Sequence, residues 1–370
     1  MRNTLICTVG TSLLNNLKYS DGDIKQAFDD QNWNQVSLLL LEKYNSDRIC
    51  GAEINSITSI CNKGLLSAKI KLIFLVSDTD EGKKIGSLLK LYYSNAKNEV
   101  RFEKVEFRVL SGLRDDDVKA FKQQGLKNLV REISTEVRDF SAEAIAINAT
   151  GGYKAQISFA GMIGQALGIP VYYLFEKFSE VIELPPQPVS LDLAFWLNNY
   201  SLFERLESEQ TIQKSQLESE IENEYLQSLI DEELIDDQPY VSLSAMGILF
   251  NERSRLQFAK QETTLLSLIP QDDTTPERKP ISLRDDHGQD ILQAFAEKIR
   301  RSPYVKRIIN SLPFNPKQVN PIRKVESSGI VEFVLTWTDR GLGLSIQTTG
   351  RNLAETNTIA LHLADKFTKG

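Results

Sequence analysis

Residues 147–154 read Ile147-Asn148-Ala149-Thr150-Gly151-Gly152-Tyr153-Lys154. An apolar run from Ala144 leads into this stretch, and a helical pattern runs from its end to Leu167. The order predicts a buried strand, a glycine loop and then a helix N-terminus. Free backbone N–H groups and the positive end of the helix would meet there, so the stretch predicts an anion site to which Lys154 adds a full charge. The alternative is that Gly151-Gly152 only closes a tight turn.

A second stretch of the same kind opens the chain. Thr4 to Val9 reads as a strand that runs into Gly10 and two hydroxyl residues. In an open α/β sheet ligands bind outside the carboxyl ends of the strands, so both loops are expected to face one crevice. A third strand end, after Lys71–Val76, adds Ser77. The candidate ligand-binding residues are therefore Gly10, Thr11, Ser12, Ser77, Asn148, Thr150, Gly151, Gly152, Tyr153 and Lys154.

Strand and helix patterns alternate over the first half of the chain, which predicts a Rossmann-like, doubly wound parallel sheet. Its continuous apolar runs are typical of strands that are buried on both faces. Helices are expected at 23–44, 52–61, 82–93, 117–137 and 153–167, and strands at 71–76, 105–110, 144–147 and 170–175, with a return strand at 181–184.

The V-G-T-S start (residues 9–12) and the N-A-T-G-G-Y-K stretch (residues 148–154) together resemble the CARF family, the sensor module of CRISPR-associated ancillary proteins. The resemblance covers residues 1–186. It implies that a homodimer binds a cyclic oligoadenylate, with cyclic tetra-adenylate as the expected ring, across its two-fold axis. Some members of the family also cleave their cyclic ligand. Thr11, Ser12 and Lys154 have the groups for that reaction, and the sequence leaves it open.

Composition limits the classes of function. The 370 residues are enough for two or three domains, and a net charge of −7 argues against a general nucleic-acid coat. The three cysteines, Cys7, Cys50 and Cys61, show no metal-binding spacing and predict core thiols in a reducing cytoplasm. We expect no membrane segment, no metal and no cofactor beyond the activating ligand.

Residues 187–268 are predicted to form a small middle domain, beginning near Pro185-Pro186-Gln187-Pro188. Helical patterns at 191–206 and 221–229, then a short hairpin near 234–243 and a further helix around 247–250, resemble a winged helix. Acidic residues far outnumber basic ones from Glu204 to Asp237. This charge favours a dimerising or docking role over DNA reading, since a helix that enters a DNA groove needs Lys or Arg toward phosphate.

A linker is expected at 269–284, and residues 285–370 reverse the charge balance. No acidic residue occurs from Lys298 to Lys324, a run that also fits a solvated helix face. Two strands are predicted after it, 331–337 and 342–346, with a turn at Asp339-Arg340-Gly341 and a closing helix at 355–367.

The stretches R-K-V-E-S-S-G (323–329) and T-T-G-R-N-L-A-E-T (348–356) resemble the RelE family of small ribonucleases. The resemblance implies an α+β domain that cuts RNA without metal: the 2′-hydroxyl attacks the adjacent phosphate while cationic side chains stabilise the charge. By this carry-over Arg351 stabilises the transition state, and Arg323 and Lys324 are the basic residues of the earlier strand. Where the family often has an arginine after the turn glycine this chain has Gly329-Ile330-Val331, so Arg340 is a candidate replacement.

The positions of the two histidines argue against another nuclease domain that often accompanies CARF domains. A HEPN ribonuclease needs an arginine and a histidine separated by four to six residues. Arg284 is too close to His287 and Arg351 too far from His362. His362 has the spacing of a packing residue. The sequence therefore predicts a cyclic-oligoadenylate-activated ribonuclease of type III CRISPR defence that cleaves messenger RNA, with ribosome-bound RNA as a candidate substrate. The alternatives are a ring nuclease and a ligand-responsive transcription regulator.

Overall fold

The computed structural model describes residues 2–175, 180–187, 191–217, 220–221, 223–284, 288–312, 321–336 and 341–368. Its first 187 residues hold the predicted α/β pattern. The strands are β1 Thr4–Thr8, β2 Lys71–Ser77, β3 Lys104–Leu110, β4 Ile145–Asn148, β5 Val171–Tyr173 and β6 Ile182–Leu184. The helices are α1 Ser12–Lys18, α2 Gly22–Asp29, α3 Trp33–Leu41, α4 Gly51–Asn62, α5 Asp80–Ser94, α6 Val118–Ala120, α7 Leu126–Phe140 and α8 Lys154–Leu167.

These six strands form one sheet in the order β3-β2-β1-β4-β5-β6. The first five are parallel, and β6 returns antiparallel to β5. Both faces of β1 are buried: Leu5 and Cys7 join one core cluster with α1 to α5, whereas Ile6 is buried outside that cluster. The prediction of a Rossmann-like parallel sheet is confirmed.

Two predicted helices of this part are interrupted. The helix expected at 23–44 is wrong as a single element, because Gln31 has φ +53° and the side chain of Asn32 accepts the N–H of Gln35 to begin a new helix. The helix expected at 117–137 contains a π-helical turn at Phe121–Gly125 between α6 and α7.

The middle of the chain is mostly helical. Its elements are α9 Leu193–Asn198, α10 Tyr200–Glu209, β7 Ile212–Gln213, α11 Glu224–Ser228, β8 Ile230–Ile235, β9 Gln238–Leu243 and α12 Ala245–Ser267. The expected helix at 191–206 is divided at Asn199, whose side chain donates to the carbonyl oxygen of Phe195. The strands β8 and β9 flank Asp236 and Asp237, both with positive φ as in a tight turn. The helix expected around 247–250 is longer than predicted.

The last part is α+β. It contains α13 Gln289–Ile299, β10 Val305–Leu312, β11 Ile322–Val325, β12 Ile330–Thr336, β13 Gly341–Thr348 and α14 Leu353–Thr368. The four strands form an antiparallel sheet in the order β10-β13-β12-β11. Val331, Phe333 and Leu344 are fully buried. The strict alternation of inward 331, 333 and 335 with outward 332 and 334 is wrong at its end, because Val334 is buried and Leu335 is only half-buried. The basic run from residue 298 lies partly on β10 and not only on a helix face.

The chain divides into two compact units. The first comprises Met1–Ser190, Ile221–Ile235 and Leu243–Arg253, and the second comprises Leu191–Glu220, Asp236–Ser242 and Ser254–Gly370. Each unit therefore includes part of the predicted middle domain. Within the second unit, segment 269–284 packs beside the sheet. The N–H of Ser282 donates to the carbonyl of Ile308 on β10, and the buried side chain of Lys279 donates to the carbonyl of Ser302 at 2.8 Å.

Candidate functional site

The ten predicted ligand-binding residues lie at the carboxyl ends of three neighbouring strands, β2, β1 and β4, or in the loops that follow them. The strand order reverses at β1, because β2 lies on one side of it and β4 on the other. In doubly wound sheets this switch point is where the loops diverge and leave a crevice. The structure thus places the predicted residues at the crevice edge of the first unit.

The loops after β1 and β4 touch each other. The hydroxyl of Thr8 donates to the carbonyl oxygen of Gly151. A Cβ on Gly10 would lie 2.9 Å from the backbone nitrogen of Gly152, and Gly152 has φ +116°. Backbones that approach this closely leave no room for side chains, so the glycines are required by the contact between the loops. The sequence interpretation of a mere tight turn does not account for that contact.

Asn148 and Thr150 hold the shape of the second loop. The buried amide of Asn148 donates to the hydroxyl of Ser56 at 2.8 Å, and its oxygen accepts the hydroxyl of Thr150 at 2.6 Å. The Thr150 hydroxyl in turn accepts the N–H of Leu174 at 3.0 Å. Both side chains are engaged within the fold, so their contribution to a ligand is to position the loop.

The residues that face solvent at this edge carry hydroxyl and cationic groups. Ser12 and Lys154 are exposed, and Thr11 is half-buried. Lys154 is the first residue of α8, whose first turn contains no acidic side chain, and the side chain of Gln156 accepts the N–H of Tyr153 at 3.3 Å. A helix N-terminus with an added lysine attracts anions, as the sequence predicted.

Ser77 and Tyr153 complete the edge on the side of β2. The buried hydroxyl of Ser77 lies 2.9 Å from that of Thr79, which caps α5, and it also hydrogen-bonds the phenol of Tyr153. Burial raises the pKa of Tyr153, and nearby carboxylates such as Asp115 add to the increase. The Tyr153 ring meets Phe121 of the π turn edge to face at 5.7 Å.

Sequence reasoning missed Glu53, which lies on α4 beneath both loops. Its side chain is fully buried, and its Oε1 accepts the N–H of Gly10 at 2.9 Å. Burial raises the pKa of this carboxyl. The available signal was an acidic residue on the apolar face that α4 forms with Cys50, Ile57 and Ile60, all fully buried.

Replacing Gly151 by alanine is expected to destabilise the first unit. The new Cβ would lie 2.1 Å from Oε1 of Glu53 and 2.9 Å from the nitrogen of Gly10, so the loops must separate. Forced overpacking of this kind costs about 1–3 kcal/mol, which thermal unfolding would report.

The matched control for that change is Gly161→Ala on α8. A Cβ there meets nothing within 4 Å, so this variant is expected to gain about 0.5–1 kcal/mol from helix propensity. Equal melting temperatures for the two variants would contradict the close contact between the loops.

The predicted catalytic cations lie in the second unit, and each described one is paired with a carboxylate. Arg351, after β13, contacts Glu355 through Nη2 at 2.6 Å and Nε at 3.0 Å. On β11, Arg323 pairs with Glu332 at 3.4 Å and Lys324 pairs with Glu326 at 2.6 Å. The predicted Arg340 lies outside the described residues. Arg323 and Lys324 lie on β11, and Arg351 lies in the connection between β13 and α14. No contact among the described residues joins Arg351 to the pair on β11.

Arg351 is exposed, and its guanidinium also donates to the carbonyl of Leu268 at 3.3 Å. The hydrogen bonds from Arg351 lower the pKa of Glu355 and keep that carboxylate ionised. A phosphate that binds Arg351 must therefore compete with a carboxylate already in place.

Within the described ranges there is no cluster of three or more His, Cys, Asp or Glu side chains that could hold a metal ion. No helix of the described chain is long and apolar enough to cross a bilayer.

The fold defines a Rossmann-like sheet in the first unit, and the predicted binding residues lie at its switch point. A family described as "CRISPR-associated protein (Cas_APE2256)" matches residues 48–187, which include Glu53 and the second loop. The chain is also similar to the solved structure of Can2 from Sulfobacillus thermosulfidooxidans in complex with cyclic tetra-adenylate (cA4), at 10% identity over 83% of this chain and 88% of that one. The TM-score of that match is 0.25, so it carries no argument here.

Proposed function

We propose that the first unit is a sensor for a cyclic oligoadenylate in CRISPR defence and that the second unit holds a ribonuclease which the ligand activates. One observation carries the proposal. The loops of residues 9–12 and 149–153 meet at the switch point, with exposed hydroxyls and Lys154 at the N-terminus of α8. A phosphodiester fits such an edge, because it can accept hydrogen bonds from backbone N–H and hydroxyl groups and pair with the lysine.

Two further points support the ligand class. The residues at the edge match those of the resemblance to CARF domains, and the family match over residues 48–187 is to a CRISPR-associated protein. Cyclic tetra-adenylate is the ring that we propose first. It repeats the same phosphodiester around a symmetric ring, so two copies of one edge can bind it equivalently across a two-fold axis. The proposed sensor is therefore a homodimer.

For the second unit we propose metal-independent, RelE-like cleavage of RNA. Arg351, Arg323, Lys324 and Arg340 are the proposed cations. They would neutralise the charge that develops on phosphate when the 2′-hydroxyl attacks. The described pairing of three of them with Glu355, Glu332 and Glu326 fits a resting enzyme, since RNA phosphate must displace carboxylates before the cations can act.

Activation then requires that the ligand bind the active arrangement more tightly than the resting one. We propose messenger RNA as the substrate, with ribosome-bound RNA as one form of it. The acidic stretch from Glu204 to Asp237 is proposed as a docking surface of a winged-helix-like middle domain.

The test measures RNA cleavage in a translation extract, with and without cyclic tetra-adenylate or cyclic hexa-adenylate. Lys154→Ala is expected to weaken ligand binding by about ten- to hundred-fold, the range for losing a charge-assisted hydrogen bond, and to remove the stimulation at low ligand concentration. The matched control is Lys90→Ala, which changes another exposed lysine at the far end of α5 and is expected to behave as wild type.

The possible outcomes distinguish a ligand-activated ribonuclease from a ring nuclease and from a transcription regulator. Ligand-dependent cleavage of translated messages supports the sensor and the effector together. If ligand binds but no RNA is cut, the second unit is not a ribonuclease. Loss of the cyclic ligand over time would then favour a ring nuclease, and DNA binding would favour a transcription regulator.

A further inference from the structure

Glu53 contacts both ligand loops from below. Its Oε1 accepts the N–H of Gly10 at 2.9 Å, and it lies so close to Gly151 that a Cβ there would be 2.1 Å away. One turn later on α4, Ser56 accepts the amide of Asn148 at 2.8 Å. The helix α4 therefore holds the first loop through Glu53 and the second through both residues.

The surroundings of this carboxyl favour its neutral form. It is fully buried, its Oε2 has no hydrogen-bond partner among the described residues, and the groups that lower its pKa are backbone N–H groups rather than cations. Burial raises its pKa, while the N–H groups of Gly10 and of Glu53 itself lower it in part. Among the described residues, the thiol of Cys7 on β1 interacts electrostatically with this carboxyl, and burial raises the pKa of that thiol as well. Ionising a buried carboxyl that has no cation beside it costs free energy, so the surroundings of Glu53 favour its protonated form.

A neutral carboxyl suits its place beneath an anion site. It accepts the Gly10 N–H and fixes the loop, yet it puts no negative charge under a bound phosphate. An ionised carboxylate at the same point would repel the ligand through a buried, poorly screened medium.

We propose that Glu53 is a positioning residue of the anion site: its carboxyl joins the loops of residues 9–12 and 149–153 so that Thr11, Ser12 and the N-terminus of α8 face one phosphate. This inference rests on the proposed function, because it assigns a role within that site. The residue acts through the loops and does not touch the ligand.

The test compares Glu53→Gln, Glu53→Ala and Ile60→Ala in the full-length protein, with labelled cyclic tetra-adenylate as the probe. Glutamine keeps an acceptor for Gly10 and cannot ionise, so its affinity is expected to stay within about three-fold of wild type, whereas alanine is expected to lose ten-fold or more, the range of one hydrogen bond. Ile60→Ala removes a fully buried side chain from the same helix and controls for lost stability alone. It is expected to melt earlier and still bind.

A ligand-free readout separates failure of this inference from failure of the proposed function. Exchange of the Gly10 amide hydrogen is expected to be slow in wild type and Glu53→Gln and at least ten-fold faster in Glu53→Ala. If the wild type does not bind the probe, the proposed ligand is wrong, and the exchange rates still decide whether Glu53 holds the loop. The inference would be overturned if Glu53→Ala matched the wild type in ligand affinity and in exchange of the Gly10 amide. It would also be overturned if Glu53→Gln restored neither property.

The pH dependence of stability gives a second readout. The pKa of Glu53 is higher in the folded state than in the unfolded state. Its protonation therefore contributes fully to the free energy of unfolding below the unfolded-state pKa, and this contribution is lost as pH rises through the folded-state pKa. Glu53→Gln lacks this loss. Its melting temperature relative to wild type is therefore expected to rise from pH 5 to pH 9, and a constant difference would contradict a neutral buried carboxyl.

Discussion

Arg351→Ala is expected to lower ligand-stimulated RNA cleavage by about 10²- to 10³-fold, the cost of removing one preorganised group that stabilises transition-state charge. The side chain and its contacts with Glu355 and with the carbonyl of Leu268 lie at the surface, so the variant is expected to fold and to bind cyclic oligoadenylate as wild type does. The measurement is the rate of cleavage at saturating ligand, together with ligand affinity.

The matched control is Arg278→Ala, which removes another exposed arginine of the second unit. This control separates a specific loss from a general loss of positive charge toward RNA. Equal cleavage rates for Arg351→Ala and wild type would remove Arg351 from the proposed catalytic group, and an equal fall in both variants would indicate RNA attraction only.

Glu136→Ala is expected to destabilise the first unit by about 3–5 kcal/mol, the range for breaking a buried ion pair from one side. Glu136 is buried on α7 and receives Lys71 of β2 at 2.8 Å and Arg108 of β3 at 2.5 Å. Without it, Glu106 at 3.4 Å is the remaining carboxylate partner of buried Lys71 among the described residues. Chemical denaturation with a probe in the first unit would measure the loss.

The control for this prediction is Glu132→Ala. Glu132 lies on the same helix and pairs with the same Arg108 at 2.7 Å, but its side chain is 38% exposed. Exposed ion pairs contribute about 0–1 kcal/mol, so little change is expected. Equal losses for Glu132→Ala and Glu136→Ala would mean that burial does not set the strength of this network.

The position of the two loops at one sheet edge could be predicted because its signals are local. Strand ends, glycines and hydroxyls follow one another within a few residues at Gly10 and again at Gly151. Parallel strands place their carboxyl ends at one sheet edge, so the two loops had to share that edge. Their direct contact needed one further fact, that β1 and β4 are neighbours in the sheet.

Glu53 could not be assigned in the same way. Its burial depends on loops that lie far from it in the sequence, including Gly151. From sequence alone an acidic residue on a helix is expected to be solvated. The apolar neighbours of Glu53 on α4 were the sequence signal that this side chain is buried. They do not show which backbone group the carboxyl contacts.

Helix ends and ion pairs also depend on tertiary structure and could not be predicted from the sequence alone. The break before α3 depends on a positive φ at Gln31, which no propensity requires. In the second unit the alternation of Val331 and Phe333 identified β12, and Arg351 was found just beyond β13. The pairing of Arg323 with Glu332 needed the register of β11 on β12, a tertiary property.

The most direct test of the central claim is calorimetric titration of the full-length protein with cyclic tetra-adenylate, with linear tetra-adenylate as the control ligand. The account predicts tight binding of one cyclic ligand per two chains, weak binding of the linear form, and a loss of affinity in Lys154→Ala but not in Lys90→Ala. If the folded protein binds no cyclic oligoadenylate of three to six units, or binds equally well in Lys154→Ala, the edge of β1 and β4 is not the sensor site and the account is wrong.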